Sequence, residues 1–185
     1  FSINRKHTIE LCNELIESKE KFQFIIETHL NNLDLNLVKK LKAAGMVMVK
    51  VGVESAVADV KKDANRFSID EDDTYKKVRE IESIGVHVTT MFILGYPKDT
   101  INSCKETINY AKQINSVITQ FTVFTPYPGT PAFKDYKKKI LAKKYEDFTM
   151  YDLVFKHDSL SVNDIEKLKN EAYTKCYLNR NWLKK

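Results

Sequence analysis

Cysteine is scarce in this sequence, and its spacing excludes several classes of protein. Three cysteines, Cys12, Cys104 and Cys176, stand far apart in 185 residues, and no two of them form a C-x-x-C pair. An odd number of widely spaced cysteines argues against a disulfide framework and against a zinc site. Cys12 and Cys104 fall on predicted helices, so we expect both to be packing residues.

Long hydrophobic runs and strong charge are also missing. No apolar run approaches the roughly 20 residues of a membrane-spanning helix, and no signal peptide is visible, so we expect a soluble, cytoplasmic protein. The net charge is only +5, and most of it comes from a lysine-rich segment at residues 134–144. No aromatic or glycine-rich interleaving accompanies these lysines, so a solvated surface is favoured over a nucleic-acid interface.

Apolar runs alternate with amphipathic segments along most of the chain, which is long enough for one domain with a core of its own. We predict strands at residues 22–26, 47–53, 86–94 and 117–124. We predict helices from Asn4 or Thr8 to Ser18, and at residues 35–44, 56–63, 70–84 and 102–114. Regular alternation with largely apolar strands indicates a parallel sheet covered by helices, either part of a TIM-type (β/α) barrel or a doubly wound sheet.

The alternation ends after Ala132. A lysine-rich helix follows, then a mixed aromatic and acidic segment at residues 145–155, and then a helix capped by Ser161 that runs to about Leu178. We therefore divide the chain into a barrel part, residues 1–132, and a helical C-terminal extension, residues 133–185.

Three predicted strands carry unusual residues directly after their apolar runs. The second strand runs through Gly52 to Glu54 and Ser55, the third ends at Gly95-Tyr96-Pro97, and the fourth ends at Pro126-Tyr127-Pro128-Gly129-Thr130. The carboxyl ends of the strands form the active-site face of an α/β barrel, so these residues are the candidate site.

Glu54 is the chemically most informative of them. Gly52 would allow a ligand or a neighbouring backbone to approach, and a carboxylate can accept two hydrogen bonds from a diol such as a ribose. The alternative is that Glu54 caps the following helix. We expect Glu27 to lie on the preceding strand at the same height along the barrel axis, so that the two carboxylates face the same opening of the barrel. An unrelated barrel hydrolase with this acid pair is therefore a further hypothesis.

Other candidates each have a structural alternative. Arg66 would clamp a carboxylate if it returned to the mouth, although an exposed arginine is the more frequent case. Gly95 suits a tight strand-to-helix turn, and the Pro126–Thr130 stretch would either wall a pocket or end the sheet. His29 and His87 are lone histidines, for which a structural placement is favoured.

Taken in order and spacing, four motifs carry a resemblance to a known family. They are Ala43-Ala44-Gly45 leading to Val51-Gly52-Val53-Glu54-Ser55, the turn Ile84-Gly85-Val86, Phe92-Ile93-Leu94-Gly95-Tyr96-Pro97, and Pro126-Tyr127-Pro128-Gly129-Thr130. This ordered set resembles the radical S-adenosylmethionine (SAM) superfamily. It is most similar to the branch with oxygen-independent coproporphyrinogen oxidase, Elongator-type tRNA-modifying enzymes and the cobalamin-binding methyltransferases and cyclases.

The resemblance implies a six-stranded partial barrel, of which this chain would supply strands three to six. It implies SAM bound across the strand ends and a [4Fe–4S] cluster held by a three-cysteine loop, with cobalamin as a further candidate cofactor. By position, Glu27 and Glu54 would contact SAM near its ribose, with Gly52 and Ser55 in the same cofactor motif. Further matches place Arg66 at the methionyl carboxylate, Gly95 beside the adenine, and the backbone from Phe124 to Tyr127 at the adenine contact.

Two departures from the family pattern bear on activity. Met91 stands where the coproporphyrinogen oxidase branch has an aspartate, and the C-x-x-x-C-x-x-C motif is absent. We therefore expect the C-terminal part of a radical SAM enzyme, catalytically inert by itself, whose substrate the sequence does not identify. The alternative is a naturally truncated barrel that binds a nucleotide-like ligand or a partner without chemistry. Its open strand edges would then self-associate or be covered.

Overall fold

A computed structural model describes residues 1–63 and 71–185 of the chain. The helices are α1 Arg5–Glu17, α2 Leu35–Ala43, α3 Ala58–Asp63, α4 Glu71–Ser83, α5 Ile101–Ile114, α6 Pro131–Tyr136 and α7 Val162–Tyr177. The strands are β1 Phe24–Thr28, β2 Met46–Glu54, β3 His87–Leu94 and β4 Ile118–Val123. Short 3-10 helices lie at Leu30–Asn32, Lys137–Lys139 and Tyr145–Asp147.

The four strands form one parallel sheet in the order β1-β2-β3-β4. Each strand pairs with the next strand along the chain, and helices connect successive strands. Consecutive parallel strands with helices outside are the arrangement of a (β/α) barrel rather than of a doubly wound sheet, in which the strand order reverses. The fold is an α/β partial barrel, one of the two arrangements that the alternation of the sequence indicates and the one that the family resemblance implies.

The helices begin where the sequence provides caps. Asp34 accepts the backbone N–H of Leu37 at 2.9 Å to start α2. Thr100 and Ser103 form a reciprocal capping box at α5, and Ser161 and Asp164 form another at α7. These side chains satisfy backbone N–H groups that have no partner within the helix, so the helix starts can be read from the sequence.

The first strand is displaced from its predicted position. It spans Phe24–Thr28 rather than residues 22–26, because Glu27 and Thr28 continue the ladder with Lys50 and Val51 of β2. Glu27 is exposed, so the end of an apolar run was the wrong marker for the end of this strand. A strand ends where its backbone pairing ends.

The main hydrophobic core lies between the sheet and its helices. Alternate side chains of the sheet point to this layer, and Val49, Val51, Phe92 and Phe121 are fully buried there. Residues that alternate with them, such as Met91, are partly exposed on the concave face. The concave face is therefore the side of the sheet open to a ligand.

The C-terminal extension packs against α5 and along β4. The Tyr177 hydroxyl bonds to both the N–H and the C=O of Thr119, each at 2.8 Å, and the indole of Trp182 donates to Val117 C=O at 3.0 Å. The Tyr173 hydroxyl bonds Phe121 in the same way, at 3.4 and 3.3 Å. These side chains occupy hydrogen-bonding groups that a neighbouring strand would otherwise take, so the extension protects this edge of the sheet.

The helices of the described part of the chain include none that is long and apolar enough to cross a membrane.

The three cysteines give a prediction about reactivity. All three side chains are buried, and burial raises the pKa of each thiol, to about 12 for Cys104 and about 11 for Cys176. Because the thiolate is the reactive form, we expect no alkylation of the native chain by iodoacetamide near neutral pH and rapid alkylation of all three thiols after unfolding. Mass spectrometry counts the adducts, and a native thiol that reacts at once would contradict this burial.

Candidate functional site

The residues of the candidate site lie where β2, β3 and β4 end, at the carboxyl side of the sheet. This edge is where α/β barrels place their catalytic and binding groups. The geometry there is built by three features: a bulged strand end at Glu54, the turn after β3, and an aromatic cavity beside β4.

The end of β2 is bulged, and the bulge aims the Glu54 side chain. The register with β3 shifts between Gly52 and Glu54, and Glu54 has a positive φ of 71°. A Cβ atom on Gly52 would lie 2.8 Å from Glu54 Oε1, so the carboxylate folds back over the glycine. Gly52 thus leaves room for this position of the carboxylate, a contact that the sequence does not show.

Tyr96 holds this carboxylate from the neighbouring strand end. Its hydroxyl donates to Glu54 Oε2 at 3.1 Å. The N–H groups of Ala56 and Val57, in the segment between Glu54 and α3, donate to Thr107 Oγ1 and Ser55 Oγ, each at 3.1 Å. Tyr96 orients the Glu54 carboxylate, and the alternative that Glu54 caps the following helix stays a prediction.

Ser55 lies behind the rim. It is fully buried, and its hydroxyl lies 3.1 Å from Thr107 Oγ1 of α5. In this arrangement Ser55 ties β2 to α5 and is not presented to the concave face, so its assignment to the cofactor site stays a prediction that the geometry does not favour.

The turn after β3 is fixed by a buried carboxylate. Asp99 Oδ2 accepts the N–H of Tyr96 at 2.9 Å, and Asp99 Oδ1 accepts the Ser103 hydroxyl at 2.5 Å. Burial raises the pKa of Asp99, while these hydrogen bonds counteract part of that rise. Gly95 starts the turn with a φ of +74°, and a Cβ there would approach Ile165 of α7 to 3.1 Å. Gly95 therefore allows close packing of the C-terminal extension against the end of β3.

A cavity of about 740 Å³ adjoins the turn, between the ends of β3 and β4 and the segment that follows β4. Four aromatic side chains line it, together with threonine, proline and aliphatic residues, and the rings of two of them, Tyr96 and Phe124, lie 5.3 Å apart. Tyr127, Tyr136 and Met150 also line it. Phe124 and Tyr127, both predicted site residues, are thus brought together with the turn at Gly95.

Glu27 does not lie at the predicted height. It pairs in register with Lys50, four residues before Glu54 on β2. At about 3.3 Å per residue the two carboxylates are offset by roughly 13 Å along the strands. The prediction of two carboxylates at one height is wrong, because β1 has only five residues and ends well before β2 does. The acid pair that a barrel hydrolase would need is not formed.

The remaining candidates are less informative. Arg66 lies outside the described residues, so its predicted contact with a carboxylate stays a prediction. His29 has a structural role, since its Nδ1 accepts the N–H of Asn31 at 3.2 Å, and His87 is exposed at the start of β3. Among residues 1–63 and 71–185, no group of three metal-ligating side chains comes together.

Sequence reasoning missed Tyr96 and His157 as parts of the site. Tyr96 was visible only as the middle of a Gly-Tyr-Pro turn, although a phenol directly after a strand end is a signal that it can reach the rim. His157 Nε2 lies 2.8 Å from the carbonyl oxygen of Tyr96, and the two residues are 61 positions apart. A contact between residues so far apart in the sequence leaves no local sequence pattern.

Comparison with known proteins agrees with this architecture. The parallel sheet and its helices define an α/β partial barrel, and the candidate site lies at the carboxyl ends of its strands. The family model described as the radical SAM superfamily matches residues 3–111, more than half of the chain. The chain belongs to the radical SAM superfamily.

Curated relatives extend the match over almost the whole chain. An uncharacterised methyltransferase of Pyrococcus horikoshii is 26% identical over 96% of this chain and 39% of its own length. The anaerobic magnesium-protoporphyrin IX monomethyl ester cyclase of Rubrivivax gelatinosus is 23% identical over 98% of this chain and 33% of its own length. The chain therefore spans about a third to two-fifths of these relatives.

Solved structures show the same fold. The coproporphyrinogen III oxidase HemN of Escherichia coli superposes with a TM-score of 0.68 at 20% identity, covering 94% of this chain and 38% of that one. The methyltransferase TsrM of Kitasatospora setae, with tryptophan and a SAM analogue bound, gives a TM-score of 0.70 at 14% identity, covering 90% of this chain and 40% of that one. At these identities the likeness shows the fold alone.

Proposed function

We propose that this chain is the part of a radical SAM enzyme that binds and orients SAM at the carboxyl ends of its strands. The observation that carries the proposal is the Glu54 carboxylate, folded over Gly52 and held by the Tyr96 hydroxyl beside an aromatic cavity. The curated relatives are named as methyltransferases and cyclases, and we propose one of these reaction types for the intact protein.

The chemistry of the rim fits the ribose of SAM. A carboxylate has about four lone-pair positions, and Tyr96 uses one of those on Glu54. The remaining positions can accept the two hydroxyl groups of a ribose. Met91, which pairs with Gly52 on the adjacent strand, offers only a weakly accepting thioether, so Glu54 is the stronger acceptor for a diol of the two.

The cavity beside the rim fits an aromatic base. Its volume of about 740 Å³ and its aromatic wall, including Phe124 and Tyr127, suit stacking and apolar contact with an adenine. Ile93, at the end of β3, adds an aliphatic surface on the concave side. The adenine would then lie between β3 and β4, with the ribose directed toward Glu54 on β2.

The cysteines of this chain do not fit an iron–sulfur cluster. Iron is ligated by thiolates, whereas Cys12, Cys104 and Cys176 are buried on three different helices with raised pKa values. In our proposal the [4Fe–4S] ligands, and cobalamin where it is used, are supplied by a part of the intact protein outside this chain. When cleaved at such a cluster, SAM supplies a 5′-deoxyadenosyl radical. The role that we propose for this chain is to bind SAM.

Binding of S-adenosylhomocysteine, an unreactive relative of SAM, tests the proposal. We expect the chain to bind it in isothermal titration calorimetry and expect Glu54→Gln to weaken binding by roughly 10- to 100-fold, because charged acceptors form the stronger hydrogen bonds. Glu106→Gln, the same substitution at an exposed position of α5, is the matched control and should bind as the unaltered chain does.

A pair of simpler ligands identifies the group that Glu54 recognises. The unaltered chain should prefer adenosine over 2′-deoxyadenosine, and Glu54→Gln should lose most of that preference. If both proteins discriminate equally between the two nucleosides, Glu54 does not bind the ribose diol. No binding of any of these ligands to the unaltered chain would refute the proposal for this chain.

A further inference from the structure

We propose that His157, in the C-terminal extension, is a positioning residue for the rim carboxylate. It acts through Tyr96: His157 fixes the Tyr96 backbone, and Tyr96 fixes the Glu54 side chain. We call this chain of contacts from His157 through Tyr96 to Glu54 the relay. The relay is a property of the unliganded chain, and only the ligand that Glu54 binds rests on the proposed function.

The hydrogen bonds of His157 determine which ring nitrogen carries the proton. Nδ1 receives the backbone N–H groups of Ser159 and Leu160, at 3.0 and 3.1 Å, and must therefore be the acceptor. Nε2 lies 2.8 Å from the carbonyl oxygen of Tyr96, which can only accept. His157 is thus the neutral Nε2–H tautomer, with its one proton directed at Tyr96.

The ring is held in place by packing as well as by these bonds. His157 is buried, and its ring lies 5.7 Å from that of Phe155. Phe155 in turn packs at 5.8 Å against Phe124, a wall residue of the aromatic cavity. The Nε2–H group that donates to Tyr96 is therefore held in position by the packing of the His157 ring.

Tyr96 is held at both ends of its backbone and by its ring. Asp99 accepts its N–H, and its carbonyl oxygen accepts the N–H of Asp99 at 2.7 Å as well as the proton of His157. The ring is almost fully buried and packs on Phe124, leaving the hydroxyl to reach Glu54 Oε2. Because the side chain is attached at Cα, a displacement of the Tyr96 backbone would move that hydroxyl relative to the carboxylate.

Glu54 depends on such support, because its backbone is in an unfavourable conformation. A positive φ at a non-glycine residue is uncommon and is maintained where surrounding contacts determine it. The long-range contact from Tyr96 supplies one of these. The arrangement makes the C-terminal extension part of the site, although none of its residues needs to touch the ligand.

His157→Asn separates the two roles of the histidine. An asparagine Oδ1 occupies nearly the position of Nδ1 and can keep the caps on Ser159 and Leu160, but the shorter side chain does not reach Tyr96. His29→Asn is the matched control, because His29 also caps a local backbone N–H, that of Asn31, through Nδ1. Only the first substitution should disturb the rim.

The first measurement uses the unliganded chain. Long-range nitrogen–proton NMR correlations should show His157 as the neutral Nε2–H tautomer at neutral pH; an Nδ1–H signature in the unaltered chain would overturn the proposal without any variant. In His157→Asn, the side-chain carboxyl resonance of Glu54 and the ring resonances of Tyr96 should shift, and in His29→Asn they should not. An unchanged Glu54 resonance in a folded His157→Asn would also overturn it.

The second measurement uses S-adenosylhomocysteine. We expect His157→Asn and Tyr96→Phe each to weaken binding by about 3- to 10-fold, the range for loss of one hydrogen bond. The double variant should bind no more weakly than the worse single variant, since both act on Glu54 in series. Additive losses would refute the relay. If the unaltered chain does not bind the ligand, the proposed function fails while the NMR result still decides the relay.

Discussion

Gly45→Ala is expected to lower the free energy of unfolding by about 4 kcal/mol, which is a large part of the stability of an ordinary domain. Gly45 ends α2 with a φ of +107°, a conformation that costs an alanine about 1–3 kcal/mol. An added Cβ would also lie 2.1 Å from the carbonyl oxygen of Phe22, which is backbone and cannot rotate away. Relieving that overlap should cost about 1–3 kcal/mol more. Urea unfolding followed by circular dichroism measures the loss.

Gly129→Ala provides the control for conformation alone. Gly129 has a φ of +90°, but an added Cβ there would meet no atom within 4 Å. We expect the free energy of unfolding to fall by about 1–3 kcal/mol, the cost of the backbone conformation without the overlap. Equal losses at the two glycines would mean that the chain before β1 moves aside at little cost, contrary to our explanation of Gly45.

Gly45 illustrates how far the sequence predicts the fold. Its position after an amphipathic segment predicts the C-cap of α2; the structure places the C-cap at Ala44 and Gly45, with its positive φ, one residue further on, where glycine commonly follows a helix. The approach of the Phe22 carbonyl is a contact between segments far apart in the sequence, and no local pattern encodes it. The element order, the parallel sheet and the helix cap at Ser161 follow from local patterns and are correct, whereas the offset of β1 against β2 is not local and was predicted wrongly.

The candidate site likewise has one part that local sequence patterns predict and another that depends on contacts between distant segments. Gly52, Glu54 and Gly95 could be proposed as site residues because they lie near the ends of apolar runs, and Phe124 because of the family resemblance; their contacts with a cofactor stay predictions. The bulge that turns Glu54 toward Tyr96 could not be predicted, since it depends on the register between β2 and β3. The contact of the C-terminal extension with Tyr96 was equally hidden, because His157 and Tyr96 are 61 positions apart in the sequence.

Phe92→Ala is expected to lower the free energy of unfolding by about 3–5 kcal/mol while leaving ligand binding almost unchanged. Phe92 is fully buried on the helix side of β3, where its ring stacks on Phe121 at 5.5 Å and meets Tyr110 of α5 edge-on at 6.3 Å. Truncation leaves a cavity among rigid aromatic neighbours that cannot collapse into it. Tyr145→Ala, at a side chain 81% exposed, should change stability by less than about 0.5 kcal/mol.

Phe92→Ala should lower the stability of the chain without changing its affinity for the ligand. The Phe92 side chain points away from the concave face, so the rim at Glu54 keeps its contacts as long as the chain is folded. At a temperature well below the unfolding midpoint, Phe92→Ala should bind S-adenosylhomocysteine within about twofold of the unaltered chain, since no group that would touch the ligand changes. A loss of affinity comparable to that of Glu54→Gln would show that the two faces of β3 are coupled. The hydrophobic core on the helix side of β3 would then also determine the geometry of the rim at Glu54.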